Sequence, residues 1–186
     1  MIQDNGEIYI FGKDSKGKFN ELKDLFGYCA QNDSSFNLMT VYENLKFFAR
    51  IKGIKENLIE QEVQLLMKEL CLDSFKNKLA GRLSRIIRRK LSVAIAMIGN
   101  PQILLLDEPS TGMDLFERRS MWRTMNTISG IGKSSLIITT NSIDEAEILS
   151  RRMGIMANGE FVCLGTTNQI KEKYCCEYEI DIRVKL

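Results

Sequence analysis

Two carboxylates stand side by side at Asp107-Glu108, directly after the apolar run Ile103-Leu104-Leu105-Leu106. That pattern suits one division of labour. One carboxylate holds Mg2+ through water, and the next orients and deprotonates an attacking water. The C-terminal ends of strands are also where open α/β sheets bind ligands. The plain alternative is a strand that ends in a polar turn. Composition removes other chemistry. The chain has no histidine in 186 residues, which excludes His-ligated metals, Ser-His-Asp triads and imidazole acid/base catalysis. Five cysteines (Cys29, Cys71, Cys163, Cys175, Cys176) form no CxxC pattern, so neither a zinc site nor a disulfide framework is expected, and a reducing compartment fits them better. The adjacent Cys175-Cys176 is read as structural rather than redox-active.

The elements that must carry these carboxylates follow from apolar spacing and turn residues. Glu7 to Phe11 reads as a strand closed by Gly12. Asn20 is expected to cap a short helix through Phe26, with Gly27 ending it. Gly27 to Gln31 reads as a second strand. Thr40 followed by Glu43 is a capping box opening a helix, with Leu45, Phe48 and Ile51 on one face. Glu56 to Leu70 is a second amphipathic helix. Leu83 to Ile98 is a third, basic at its start and broken by Pro101. Residues 103–106 then read as a strand buried on both faces, as in a parallel sheet. A helix over 115–129, a second buried strand over 135–140 and a helix over 143–150 follow. A hairpin is expected around Asn158-Gly159. Residues 178–186 alternate apolar and polar, the mark of a half-buried strand. Strand and helix alternate through the second half, which implies an α/β sheet.

Around the carboxylates lie further groups in a fixed order. Upstream are Tyr28-Cys29-Ala30-Gln31 and Leu83-Ser84-Arg85-Ile86-Ile87-Arg88-Arg89-Lys90-Leu91-Ser92. Pro109-Ser110-Thr111-Gly112-Met113-Asp114 follows directly, and Thr139-Thr140-Asn141-Ser142 lies downstream. Over about residues 7–174 this order resembles the nucleotide-binding domain of ATP-binding cassette (ABC) transporters, above all the A subfamily of lipid exporters. The stretches LMTVYENLKFFARIKGI, RRKLSVAIAMIGNPQILLLDEPSTGMD and MGIMANGEFVCLGTTNQIKEKY carry the resemblance. It implies a P-loop NTPase-like ABC ATPase core, class α/β, with an inserted α-helical subdomain over 37–100. The Walker B core would occupy 101–174 within a domain of residues 1–174, and 175–186 would begin a C-terminal regulatory strand. It also implies ATP and Mg2+ as cofactors. Asp107 would hold Mg2+, Glu108 would be the general base, and Gln31 would sense both the ion and the attacking water. Asp114 would communicate across a dimer. Phe36 to Val41 would receive a helix from a transmembrane domain.

Three departures from the family pattern shape the functional reading. No GxxxxGK[ST] loop occurs, so the N-terminal part of the core is expected to be missing. Gly12 to Lys18 satisfies GxxxxGK, but Phe19 stands where a hydroxyl is required. Gly132-Lys133-Ser134 precedes a strand rather than a helix. Both are read as solvated turns, because a phosphate site needs backbone N–H groups at a helix N-terminus. Second, the family's LSGG signature stands here as Leu83-Ser84-Arg85-Ile86. There Ser84 and Arg85 are the residues left to meet a nucleotide, and bulk replaces glycines that let a backbone approach closely. Third, Asn141 stands at the switch-histidine position. It can hydrogen-bond a phosphate but cannot carry charge.

A formal net charge of +2 is low for a dedicated nucleic-acid binder. The basic cluster Arg82, Arg85, Arg88, Arg89 and Lys90 reads as a solvated helix face. The longest apolar stretch, Leu91 to Gly99, is far short of the ~18 residues a membrane span needs. The expectation is therefore an ABC domain on the cytoplasmic face of a membrane. It would be partnered by a transmembrane domain and a second nucleotide-binding domain, and it would be weak or inactive as an isolated ATPase. The alternative is a non-catalytic domain that docks on such a partner.

Overall fold

The computed structural model describes residues 5–16, 22–130 and 134–174. The expected strand over 178–186 and the cysteine pair 175–176 lie outside them. The chain divides into two compact units, residues 1–141 and 142–186.

The first unit is built on a three-stranded parallel sheet of β3 (Phe26–Cys29), β4 (Ile103–Asp107) and β5 (Ser135–Thr139), with β4 in the middle. Register places Tyr28 beside Leu105 and Leu105 beside Ile137. Only one face of this sheet is sealed. Leu104 and Leu106 are buried, whereas Tyr28 and Ile137 are exposed. The expectation of strands buried on both faces therefore holds for one face among the described residues. A short hairpin, β1 (Tyr9–Ile10) and β2 (Lys13–Asp14), precedes the sheet and turns at Phe11-Gly12. It contains the start of the first GxxxxGK match, and a hairpin offers no helix N-terminus to a phosphate. Gly17 and Lys18 of that match, and Gly132 and Lys133 of the second, lie outside the described residues.

Gly27 departs from the expected helix end. The strand already begins at Phe26, after a 3-10 turn at Lys23–Leu25, so Gly27 lies inside β3. Its role is close packing. A Cβ placed there would sit 2.0 Å from the Ala96 carbonyl oxygen and 2.8 Å from Leu104 Cδ1. The missing side chain lets α3 (Arg85–Met97) lie directly on the strand.

Between β3 and β4 the chain forms α1 (Val41–Ile51), α2 (Glu56–Glu69) and α3, the inserted helical segment that the sequence implies. The Thr40/Glu43 capping box opens α1. The Glu43 backbone N–H donates to Thr40 Oγ1 at 3.2 Å, and the Thr40 N–H donates to Glu43 Oε2 at 2.8 Å. The bonds from the Thr40 backbone and hydroxyl hold the Glu43 carboxyl below the usual range. The buried face of α1 is Val41, Asn44, Leu45 and Ala49, while Ile51 is exposed and Phe48 half-buried. The apolar stripe is thus rotated from the one expected, because Asn44 satisfies its amide in the interior and so takes an inward position. Helix α3 stops at Met97, and Gly99 and Asn100 follow with φ of +80° and +51°. This left-handed pair, with Pro101 after it, turns the chain into β4. Helix α4 (Leu115–Gly130) connects β4 to β5.

The second unit holds α5 (Ile143–Leu149), an antiparallel hairpin of β6 (Met153–Ala157) and β7 (Glu160–Gly165), and α6 (Thr167–Tyr174). Asn158 and Gly159 both have positive φ, 52° and 84°, as a tight two-residue hairpin turn requires.

Candidate nucleotide site

The C-terminal ends of the parallel strands deliver the chemistry. Strand β4 ends at Asp107, its register partner on β5 is Thr139, and β3 leads into Ala30-Gln31. The Thr139 hydroxyl donates to Asp107 Oδ1 at 2.6 Å. The Glu108 N–H donates to the Thr139 carbonyl at 3.1 Å and to its hydroxyl at 3.2 Å. One threonine therefore orients both halves of the carboxylate pair.

Glu108 leaves the strand in the left-handed region, φ +49°. A residue with a Cβ bears strain of about 1–2 kcal/mol there. The surrounding bonds hold it: the Thr111 hydroxyl donates to Glu108 Oε2, and the Thr111 N–H donates to the Glu108 carbonyl at 3.3 Å. The turn brings Glu108 onto an open cleft of about 390 Å³. Its lining includes Gln31, Asp33, Arg85, Arg89 and Thr111.

Gln31, Arg85 and Glu108, all expected to act on nucleotide, thus share one cleft. Asp107 sits at the foot of the turn with one oxygen committed to Thr139. Asn141 lies two residues beyond Thr139, at the end of β5, and is exposed. Ser84 is the exposed N-cap residue of α3, and its side chain makes no cap bond. Asp114 acts as a helix cap: the Glu117 N–H donates to Asp114 Oδ1 at 2.8 Å, and the Asp114 N–H donates to Glu117 Oε2 at 3.4 Å. Arg85 reaches from α3 to the Gly112 carbonyl at 2.6 Å, so the first altered signature residue is tied to the turn after Glu108.

Sequence reasoning missed three contributors. Thr139 was visible only as a hydroxyl near Asn141. Thr111 was legible as a hydroxyl three residues after a carboxylate. Arg89 belongs to the basic cluster expected to form a solvated helix face, yet it is only 5% exposed. Its guanidinium donates to the carbonyls of Ala30, Gln31 (3.1 Å), Asp107 (2.6 Å), Glu108 (3.3 Å) and Pro109 (3.2 Å). Beneath the same turn lies Cys29, fully buried. Burial pushes its thiol up to about 11, with the Arg89 charge partly offsetting that rise. This thiol is inert at neutral pH.

No group of three or more acidic or cysteine side chains among the described residues converges to hold an ion by itself. A single carboxylate, Asp107, beside the Thr139 hydroxyl, suits Mg2+ that brings further ligands on a polyphosphate. A second feature is apolar. Phe36 packs edge-on to Phe47 (5.2 Å between centroids) and stacks on Phe48 (5.8 Å), while Leu38 is 90% exposed. The buried Asn44 holds this loop. It accepts the Phe36 N–H at 2.8 Å and donates to the carbonyls of Phe36, Met39 and Thr40.

The fold is that of ABC ATPase domains. CbiO1 from Clostridium perfringens, part of the ABC transporter complex cbiONQ, has the same fold, with a TM-score of 0.81 over 93% of this chain and 69% of that one, at 22% identity. An ATP-binding subunit of another ABC transporter superposes with a TM-score of 0.76. The ABC transporter family profile matches residues 1–111, and the chain belongs to that family. It is 39% identical over 186 residues to the human glucosylceramide transporter ABCA12, and 37% identical over 181 residues to the rat phospholipid-transporting ATPase ABCA3. It is 40% identical over 181 residues to ABC transporter A family member 11 of Dictyostelium discoideum. The chain spans 7%, 11% and 21% of the lengths of these three relatives. No helix among the described residues is long and apolar enough to cross a membrane.

Proposed function

We propose that these residues form part of the ATP-binding domain of an exporter of lipids or other amphiphiles, at the cytoplasmic face of a membrane. The observation that supports this best is the convergence of Gln31 and Glu108 on one cleft, beside an Asp107 oriented by Thr139. Glu108 is the general base and Gln31 positions the attacking water. Asp107, with Gln31, holds Mg2+. When bound, that ion would neutralise phosphate charge as the bond to the leaving group lengthens. Asn141 offers a neutral hydrogen bond to the same phosphate. Ser84, Arg85 and Asp114 face the nucleotide of a second ABC domain. The exposed Leu38 and the Phe36–Phe47–Phe48 platform, held by Asn44, receive a segment of a transmembrane domain. The 186 residues alone are expected to hydrolyse ATP weakly or not at all, because they contain no complete phosphate loop.

ATP turnover by the native polypeptide, wild type against Glu108→Gln, tests the reading. Loss of a general base lowers turnover by about 100-fold or more, with ATP still bound. Equal turnover in the two proteins would sink it. One observation favours a second reading, a docking domain without catalysis. Arg85 occupies the cleft wall with its guanidinium on the Gly112 carbonyl, where the family pattern has glycine. Absence of turnover, with retained binding to a transmembrane partner, would select that reading.

A further inference from the structure

Arg89 is a buried cation whose hydrogen bonds all end on main-chain oxygens. Three guanidinium nitrogens reach five carbonyls in two segments: Ala30 and Gln31 on one side, Asp107, Glu108 and Pro109 on the other. A charge withdrawn from water must be compensated by partners close to it. Here the compensation is divided between segments far apart in sequence. Moving either segment away strips the guanidinium of part of its solvation, so both are held in one spacing. The planar fork makes this possible, because its donors point in several fixed directions at once. Lysine keeps the charge but presents it at one point and cannot serve both segments. Arg85, one helical turn earlier, is exposed and makes a single bond to Gly112. Arg88 is the next contrast, since it bonds the carbonyls of Ala80 and Gly81, outside the cleft.

We propose that Arg89 is a positioning residue that locks the Gln31 segment to the Asp107–Glu108 turn, so that displacement of one moves the other. This deepens the reading of the cleft as a site of ATP hydrolysis and rests on it for its kinetic consequence only. The mechanical claim stands apart. In the native polypeptide, fast amide hydrogen exchange is followed over residues 28–33, 105–113 and 41–69 in Arg89→Lys, Arg89→Met and the control Arg88→Lys. Losing hydrogen bonds to a charged donor corresponds to an increase of about tenfold or more in local opening. Arg89→Lys is expected to speed exchange in 28–33 and 105–113 together, with 41–69 unchanged and melting close to wild type. Arg88→Lys leaves both segments as they were. In turnover, Arg89→Lys is expected to lose kcat by about 100-fold, the usual effect of misplacing a reacting group by about 1 Å, with KM for ATP nearly constant. Should Arg89→Met fail to fold, Arg89→Lys decides alone. Exchange that rises in only one segment, rises throughout the chain, or matches wild type in Arg89→Lys overturns the proposal. If the wild-type protein shows no turnover, the hydrolysis reading fails and the exchange result still decides the role of Arg89.

Discussion

Replacing Gly27 by alanine sets two effects of opposite sign against each other. In a strand, alanine is favoured over glycine by roughly 0.5–1 kcal/mol, since the unfolded chain loses freedom. The added Cβ, however, meets the Ala96 carbonyl oxygen at 2.0 Å, Leu104 Cδ1 at 2.8 Å and Pro101 Cγ at 2.9 Å. The first contact is with helix backbone and cannot be relieved by turning a side chain. Normal carbon–oxygen contact needs α3 to move from β3 by about 1 Å, and overpacking of this kind costs about 1–3 kcal/mol or more. Because helix backbone itself must move, the cost falls in the upper part of that range, about 2–3 kcal/mol, and the net effect is a loss of about 1–2 kcal/mol. For a chain of this size, that lowers Tm by about 2–8 °C. The same movement draws Arg89, on α3, away from Ala30 and Gln31, just beyond β3. Thermal melting followed by circular dichroism, with urea midpoints as a second measure, reads the sign. A Tm equal to or above wild type would refute the close approach of α3 to β3 and the packing argument built on it.

Two further changes probe the layer under the cleft. Thr139→Val removes the hydroxyl that serves Asp107 and the Glu108 N–H. Because the site is open to solvent, the expected loss is about 1 kcal/mol in urea denaturation, and Thr139→Ser should restore most of it. Cys29 makes a pH prediction. Its folded pKa, about 11, lies above the ordinary thiol value of 9.0. Below pH 9 the thiol is protonated in both folded and unfolded chains, and its contribution is fully present. Between pH 9 and 11 the unfolded chain ionises first, so stability is lost as pH rises, by roughly 2–3 kcal/mol in all. Urea midpoints at pH 8 and 10.5 should fall further in wild type than in Cys29→Ala, and parallel curves would contradict the burial of the thiol.

Much of this architecture was legible because local signals and tertiary demands agree. The capping box at Thr40/Glu43, the left-handed stop before Pro101 and the Asn158-Gly159 hairpin each depend on a few adjacent residues, and each stands where its residues imply. The Asp107-Glu108 pair is where an apolar run meets the end of a strand. The failures share a cause. Gly27 looks like a helix end by composition, yet its role is set by a helix that arrives some seventy residues later. Arg89 sits in a run of basic residues that reads as a wet surface, and only the convergence of two strand ends on α3 turns it inward. Asn44 rotates α1 because the loop carrying Phe36 needs its amide. Long-range packing, invisible to periodicity, decides all three. Asp114 lies between these cases: Glu117 three residues on marks a helix cap, and the two residues exchange cap hydrogen bonds.

The Mg2+ dependence of nucleotide affinity tests the site most directly. ATP is titrated into the native polypeptide with Mg2+ and with chelator, for wild type and for Asp107→Asn. If Asp107 holds the ion, chelation weakens wild-type binding by about tenfold or more. Asp107→Asn removes that difference while leaving the metal-free affinity unchanged. An Asp107→Asn protein with the full Mg2+ effect, or a wild-type protein with none, would contradict the assignment of these carboxylates to a nucleotide site.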